Sequence, residues 1–193
     1  MAHLSGTIGV LALQGCVTPH RPHVEALGFA FREIRTAEEM AGADGLILPG
    51  GESTTMLRLI DRFGLEDALR AFAAARPVWG ICAGAILMAR GVRNPPQRAF
   101  GLVDMDVVRN GYGRQLDSVQ QAVDGYPVSF IRAPVIERAG PSVEVLARRD
   151  GDPVWLTAGH FMVTTFHAEL TLDFPSPQHR AFARLIAEAR QPA

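Results

Sequence analysis

Four short apolar segments, each cut off by glycine or proline, punctuate the first eighty-one residues and constrain the fold more than any other feature of the chain. Thr7 to Leu13 (TIGVLAL) stops at Gln14-Gly15, and Gly45 to Leu48 (GLIL) stops at Pro49-Gly50-Gly51. Phe29 to Ile34 is a weaker member, and Pro77 to Ile81 (PVWGI) completes the set. Between the last two the spacing turns helical: Met56, Leu57, Leu59, Ile60 and Phe63 mark one face of Ser53 to Phe63. Gly64 interrupts, Leu65 to Ala75 continues as an alanine-rich helix, and a small-residue helix from Ala83 to Ala89 follows the fourth strand. Strands that are apolar throughout, rather than alternating, are buried on both faces. Strands alternating with helices in one domain predict a mostly parallel sheet with helices on both sides, an α/β three-layer sandwich.

The second half changes character. Phe100 to Val108, Val128 to Ile131, Val143 to Ala147, Val154 to Thr157 and Phe161 to Phe166 are strand-like with turns between them, which predicts an antiparallel extension of the core. Only His179 to Arg190 reads as a helix, and Val92 to Ala99 (VRNPPQRA) reads as a surface loop. At 193 residues without a fixed-period repeat or linker, residues 1–193 are expected to form a single domain. Nineteen Lys and Arg against twenty Asp and Glu leave a net charge of −1, which argues against a nucleic-acid binder working through a basic field. No apolar run reaches the 18 or so residues of a membrane span. Two cysteines, no disulfide framework and no signal-peptide pattern at the N-terminus predict a cytoplasmic protein with free thiols.

The strongest local signal is Gly80-Ile81-Cys82-Ala83-Gly84, standing between a strand and a helix. It has the form of a nucleophile elbow, with cysteine in the nucleophile's place. A sharp strand-to-helix turn lifts one side chain out of the sheet, and flanking glycines remove the Cβ atoms that would clash there. The nucleophile then sits at a helix N-terminus, whose dipole favours a thiolate. The backbone N–H of Ala83 would point at an oxyanion formed on the attacked carbonyl. A cysteine nucleophile needs a histidine base and a group to orient it. His167 meets that need, because Glu169 follows two residues later and side chains at i and i+2 of an extended chain share a side.

Leu48-Pro49-Gly50-Gly51-Glu52-Ser53-Thr54 has two readings. It is a turn in which Ser53 or Thr54 caps the next helix, or a loop in which Gly51 offers a second oxyanion donor and Glu52 and Ser53 offer polar contacts. It lacks the Walker pattern. Cys16, His20 and His23 together have zinc-ligand chemistry. Two interleaved prolines and no helical histidine pair favour instead surface histidines at the start of a helix. No metal and no cofactor is expected.

Leu13-Gln14-Gly15, LPGGEST (48–54), GICAG (80–84), RNGYGRQ (109–115), FIRAP (130–134) and TFHAEL (165–170) occur in a characteristic order. Over nearly the whole chain, about residues 7 to 188, this resembles the glutaminase subunits of pyridoxal 5′-phosphate synthase, a branch of the class I (triad-type) glutamine amidotransferases. The elbow and the His-x-Glu pair are shared with many class I enzymes, whereas RNGYGRQ, FIRAP and LPGGEST are far more specific to the vitamin B6 branch. The resemblance implies that Cys82 is the nucleophile, His167 the general base and acid, and Glu169 its orienting carboxylate. It implies glutamine binding by Gly51, Glu52, Ser53, Arg109, Ile131 and Arg132, with Arg109 or Arg132 on the α-carboxylate. Gly51 and Ala83 would form the oxyanion hole. It places Gln14 near the contact with a partner, a (β/α)₈ synthase subunit in a hetero-oligomer that receives the ammonia.

The resemblance further implies low glutaminase activity until that partner binds, with the Gly50-Gly51 peptide turning to complete the oxyanion hole. Against the family pattern, Ala168 stands for proline, Ile81 for threonine, Val108 for glutamate and Cys16 for a small residue. Cys16 is assigned to packing. Three other readings compete: a glutaminase serving a different synthase, a cysteine hydrolase or chaperone on a related elbow, and a catalytically dead partner-binding module. The chain has room for one glutaminase domain and none for the synthase.

Overall fold

The computed structural model describes residues 6–111 and 119–190, so Tyr112 to Gln115 of the RNGYGRQ motif lie outside the described residues. The first half runs β1 (Thr7–Leu11), α1 (His20–Glu25), β2 (Ala30–Ile34), α2 (Ala37–Ala41), β3 (Gly45–Leu48), α3 (Ser53–Arg62), α4 (Glu66–Ala75), β4 (Val78–Ile81) and α5 (Ala83–Met88). The second half runs β5 (Ala89–Arg93), β6 (Val103–Val108), β7 (Val119–Val123), β8 (Tyr126–Phe130), β9 (Val135–Ala139), β10 (Glu144–Arg149), β11 (Asp152–Ala158), β12 (Phe161–Thr164) and α6 (Pro177–Ala189).

The main sheet has seven strands in the order β10-β11-β12-β4-β3-β1-β2. From β12 to β2 every pairing is parallel, and β11 and β10 add an antiparallel edge. Its inner strands β3 and β4 are buried at every position, as their unbroken apolar sequences require. Alternate side chains feed two cores: Leu46, Leu48 and Val78 meet α2 to α5 on one face, while Ile47, Trp79 and Ile81 meet α1 and α6 on the other. The expected α/β sandwich with an antiparallel extension is therefore what forms.

Two smaller sheets, β5-β6-β9 and the β7-β8 hairpin, pack on this core. β8 does more than extend it: Ser129 and His167 exchange backbone hydrogen bonds, His167 N–H to Ser129 O at 2.8 Å and Ser129 N–H to His167 O at 3.1 Å. The segment after β12 is thereby held at the C-terminal end of the parallel strands, where the elbow after β4 also opens. The expected loop at residues 92–99 differs in part, because its first residues complete β5 alongside β6. The histidines of α1 also depart from expectation: His20 and His23 are fully buried, not on the surface. They pack with His179 of α6, His20 Nδ1 lying 2.9 Å from His179 Nε2 and the His23 ring stacking on that of His179.

Candidate active site

Cys82 sits between β4 and α5 with φ 48° and ψ −99°. A non-glycine residue in that region carries strain of about 1–3 kcal/mol and persists only where the surroundings fix it. They do so here. The Cys82 N–H donates to Thr164 O at 2.9 Å, and the Cys82 carbonyl accepts from Ile86 N–H at 3.1 Å. A Cβ on Gly84 would overlap the carbonyl of Leu48, and one on Gly80 would crowd Met88 and the Gly84 backbone. The expected reason for the flanking glycines holds. The thiol lies 3.9 Å from the carbonyl oxygen of Ile131, its acceptor.

His167 and Glu169 are both buried, and Nδ1 of the ring lies 2.6 Å from Glu169 Oε1. Burial alone would pull the imidazolium's pKa down. Hydrogen bonding to Cys16, Cys82 and Glu169, with the Glu169 charge, outweighs burial and pushes it up to about 12. Burial would likewise raise the Glu169 carboxyl, but the hydrogen bond from His167 holds it below the usual carboxylate range. The pair is thus built to keep the ring protonated. Gly50 makes room for it, since a Cβ there would overlap His167 Cε1.

A cleft of about 560 Å³ opens over these groups. Cys82, His167, Gly51, Glu52 and Ser53 line it, as do Arg109, Ile131 and Arg132, so of the expected site residues only Glu169 and Ala83 stay behind the wall. Ala83 is the first residue of α5, where a backbone N–H has no intrahelical acceptor. Arg132 is exposed with φ 44°, whereas Arg109 Nη2 donates to Thr54 Oγ1 at 3.2 Å and to Glu52 Oε1 at 3.3 Å.

The LPGGEST loop is a turn into a capped helix that also borders the cleft. Glu52, rather than Ser53 or Thr54, caps α3, accepting from the N–H groups of Thr54 at 3.1 Å and Thr55 at 2.6 Å. Burial is the largest single influence and would raise the carboxyl's pKa, but these bonds and the Thr55 hydroxyl together outweigh it and hold the carboxyl down at about 2. The hydroxyls of Ser53 and Thr54 both donate to Gln97 Oε1. Gln97, from the stretch read as a bare surface loop, is a participant that no local pattern marked. Gln14 grips the same turn from β1's side: Nε2 donates to Glu52 O at 3.2 Å and Oε1 accepts from Glu52 N–H at 3.3 Å. The Gly50 carbonyl accepts from the Cys16 N–H at 2.9 Å.

Cys16 departs from expectation as well. It is not packing alone but lines the cleft beside His167, and burial pushes its thiol pKa up. The Cys16–His20–His23 set does not gather, because the two histidines turn into the α1–α6 cluster. Among the described residues Cys16 converges instead with His167 and Glu169.

A cysteine raised on an elbow above a doubly covered parallel sheet, lining one cleft with a His that is paired to a buried Glu, has the form of an α/β enzyme site with a cysteine nucleophile. Comparison with known proteins narrows it. The chain belongs to the SNO glutamine amidotransferase family, whose model matches residues 10–186. It is 46% identical over 194 residues to the pyridoxal 5′-phosphate synthase subunit PdxT of Deinococcus radiodurans, covering 94% of this chain and 98% of that protein. Identity to the PdxT of Solibacter usitatus is 48% over 178 residues, covering 86% and 93%. A crystal structure of a glutamine amidotransferase superimposes with a TM-score of 0.85 at 39% identity, covering 94% of this chain and all of that one.

Proposed function

We propose that this chain is the glutaminase subunit of a pyridoxal 5′-phosphate synthase and that residues 1–193 form one glutaminase domain. The observation that supports the reading is that the Cys82 thiol and the His167 ring, already paired with Glu169, line the same cleft. In the reaction, Cys82 Sγ attacks the side-chain amide carbon of L-glutamine, and the carbonyl π electrons move to oxygen. The N–H groups of Ala83 and Gly51 stabilise that oxyanion, each contributing about 2.7–4 kcal/mol by the measure of other oxyanion holes. The C–N bond breaks as His167 gives its proton to the departing ammonia, leaving a γ-glutamyl thioester on Cys82. His167, now neutral, takes a proton from water, which attacks the thioester and releases glutamate and the thiolate. Glu169 acts through His167 as a positioning residue.

Arg132 at the rim and Arg109 on the wall supply the positive charge that suits the α-carboxylate of glutamine. Glu52 and Ser53 present polar groups in the same cleft, and the Ile131 carbonyl lies 3.9 Å from the Cys82 thiol. The Gly50 carbonyl is tied to the Cys16 N–H, so turning the Gly50-Gly51 peptide exchanges one hydrogen bond, a net cost of about 1 kcal/mol. That small cost fits a hole completed when a partner seats near Gln14. The partner would be a (β/α)₈ synthase subunit in a hetero-oligomer, in the cytoplasm, where free thiols persist. Among the described residues no helix is long and apolar enough to cross a membrane.

Glutamate release measured before and after the synthase subunit is mixed in tests this. Release that rises on mixing and vanishes in Cys82→Ala is expected. Release that ignores the partner, or survives in Cys82→Ala, contradicts it.

A further inference from the structure

The cleft carries a group that the glutaminase reaction does not use. Cys16 Sγ, a ring nitrogen of His167 and a carboxylate oxygen of Glu169 all lie within 4.8 Å of one another. Thiolate, imidazole and carboxylate together are the ligand types of a borderline-soft divalent cation, not of calcium or magnesium. A tetrahedral Zn(II) bound at about 2.0–2.3 Å holds its ligands roughly 3.3–3.8 Å apart, so modest side-chain rotations bring the three into range. A second feature points the same way. Glu169 is 2% exposed, and its second oxygen, Oε2, is buried without a hydrogen-bond partner. The His167 ring meets only the other oxygen, and a buried acceptor left without a partner is costly.

We propose that Cys16, His167 and Glu169 form an inhibitory site for Zn(II)-like cations at the floor of the glutamine cleft. Binding forms a metal–sulfur bond as the Cys16 thiol releases its proton to solvent, and a metal–nitrogen bond as the His167 imidazolium releases one of its two ring protons to solvent. Three protein ligands leave a tetrahedral ion one open position facing water or a bound group. With its lone pair on the metal, the ring can no longer exchange a proton with Cys82 or with leaving ammonia, so glutamine hydrolysis stops. The loss of activity rests on the proposed role of His167. The binding does not.

Co(II) serves as the spectroscopic probe, because a cobalt–thiolate bond gives a near-ultraviolet charge-transfer band. The full chain is titrated as wild type, Cys16→Ala, Cys16→Ser and Cys82→Ala, with thermal melts confirming that each folds. The band is expected in wild type and in Cys82→Ala and is expected to vanish in both Cys16 variants. Zn(II) should suppress partner-stimulated glutamate release, and Cys16→Ala should raise the inhibiting concentration by at least about tenfold, the scale on which losing even an outer partner weakens a site. No band in wild type, or a band that survives in Cys16→Ala or disappears in Cys82→Ala, overturns the site. A band without any stimulated glutaminase activity leaves the metal site standing and refutes the glutaminase reading instead.

Discussion

Lowering the pH from 7 to 5 should destabilise this protein well before its carboxylates titrate, and the reason is the histidine cluster between α1 and α6. His20, His23 and His179 are all buried, and Ser176 ties them together, its N–H donating to His23 Nδ1 at 3.0 Å and its hydroxyl lying 2.7 Å from His179 Nδ1. Nε2 of His20 and of His23 is buried without a partner. Burial, against the weaker pull of Glu169, lowers the His20 pKa from 6.5 to about 4. Burial lowers His23 as well, and it takes His179 well below 6.5. A histidine depressed in the folded state is protonated first in the unfolded chain, so stability is lost as pH falls from 6.5 towards the folded value. For His20 the loss between pH 7 and 5 is about 2 kcal/mol, and the other two add losses of the same sign.

Folded domains hold only about 5–15 kcal/mol in total, so the effect is large. His167 offsets it only in part: its raised pKa contributes stability that is complete below 6.5 and is lost as pH rises towards about 12, so it gains only while pH falls to about 6.5. Glu52, held down at about 2, loses its contribution only as pH falls from its ordinary carboxylate range towards that value. Urea unfolding at half-unit steps from pH 7.5 to 5 measures the slope. A fall of more than about 2 kcal/mol is expected, with His20→Gln reducing the slope by roughly one proton's worth, about 1.4 kcal/mol per pH unit. A flat stability over that range refutes the reasoning.

The elbow and the cleft give further expectations. Gly84→Ala sets a methyl against the Leu48 backbone and should cost about 3 kcal/mol by urea unfolding, the upper end for overpacking. Gly50→Ala displaces the His167 ring and should lower partner-stimulated glutaminase kcat about 100-fold while the fold survives. Glu169→Gln removes the group that orients the ring and should lower kcat by about 10²–10⁴-fold, with KM for glutamine little changed. Glu52→Ala removes the α3 cap, costing about 1 kcal/mol in a melt, and also frees Arg109, so KM should rise.

The inner strands were legible because burial on both faces writes a continuous apolar run: Gly45 to Leu48 begins and ends where the sequence pattern places it. Strand β7 was not, because it is exposed over its first four residues and carries no apolar alternation. Its only local mark is the Asp124-Gly125 turn, where both residues have positive φ. The capping box of Thr36 and Glu39 could have announced α2. Helix α1 buries histidines where apolar residues would have given a period. The same contrast runs through the site. Cys82, His167 and Glu169 stand out because the elbow and the i, i+2 pair are local patterns. Cys16 and Gln97 join them through packing between segments distant in the chain, and neither has a flanking sequence that says so. Glu52 shows a subtler limit: cap preferences favour serine and threonine, but the longer carboxylate reaches the N–H groups of both Thr54 and Thr55.

The central claim is that Cys82 carries the γ-glutamyl group. Intact-mass measurement of the wild-type chain, mixed with L-glutamine and the synthase subunit and quenched in acid during turnover, tests it most directly. The account predicts a mass increase of one γ-glutamyl group, mapped by peptide digestion to Cys82 and absent in Cys82→Ala. An adduct on Cys16, or glutamate formed in wild type with no acyl group ever trapped on Cys82, would contradict it.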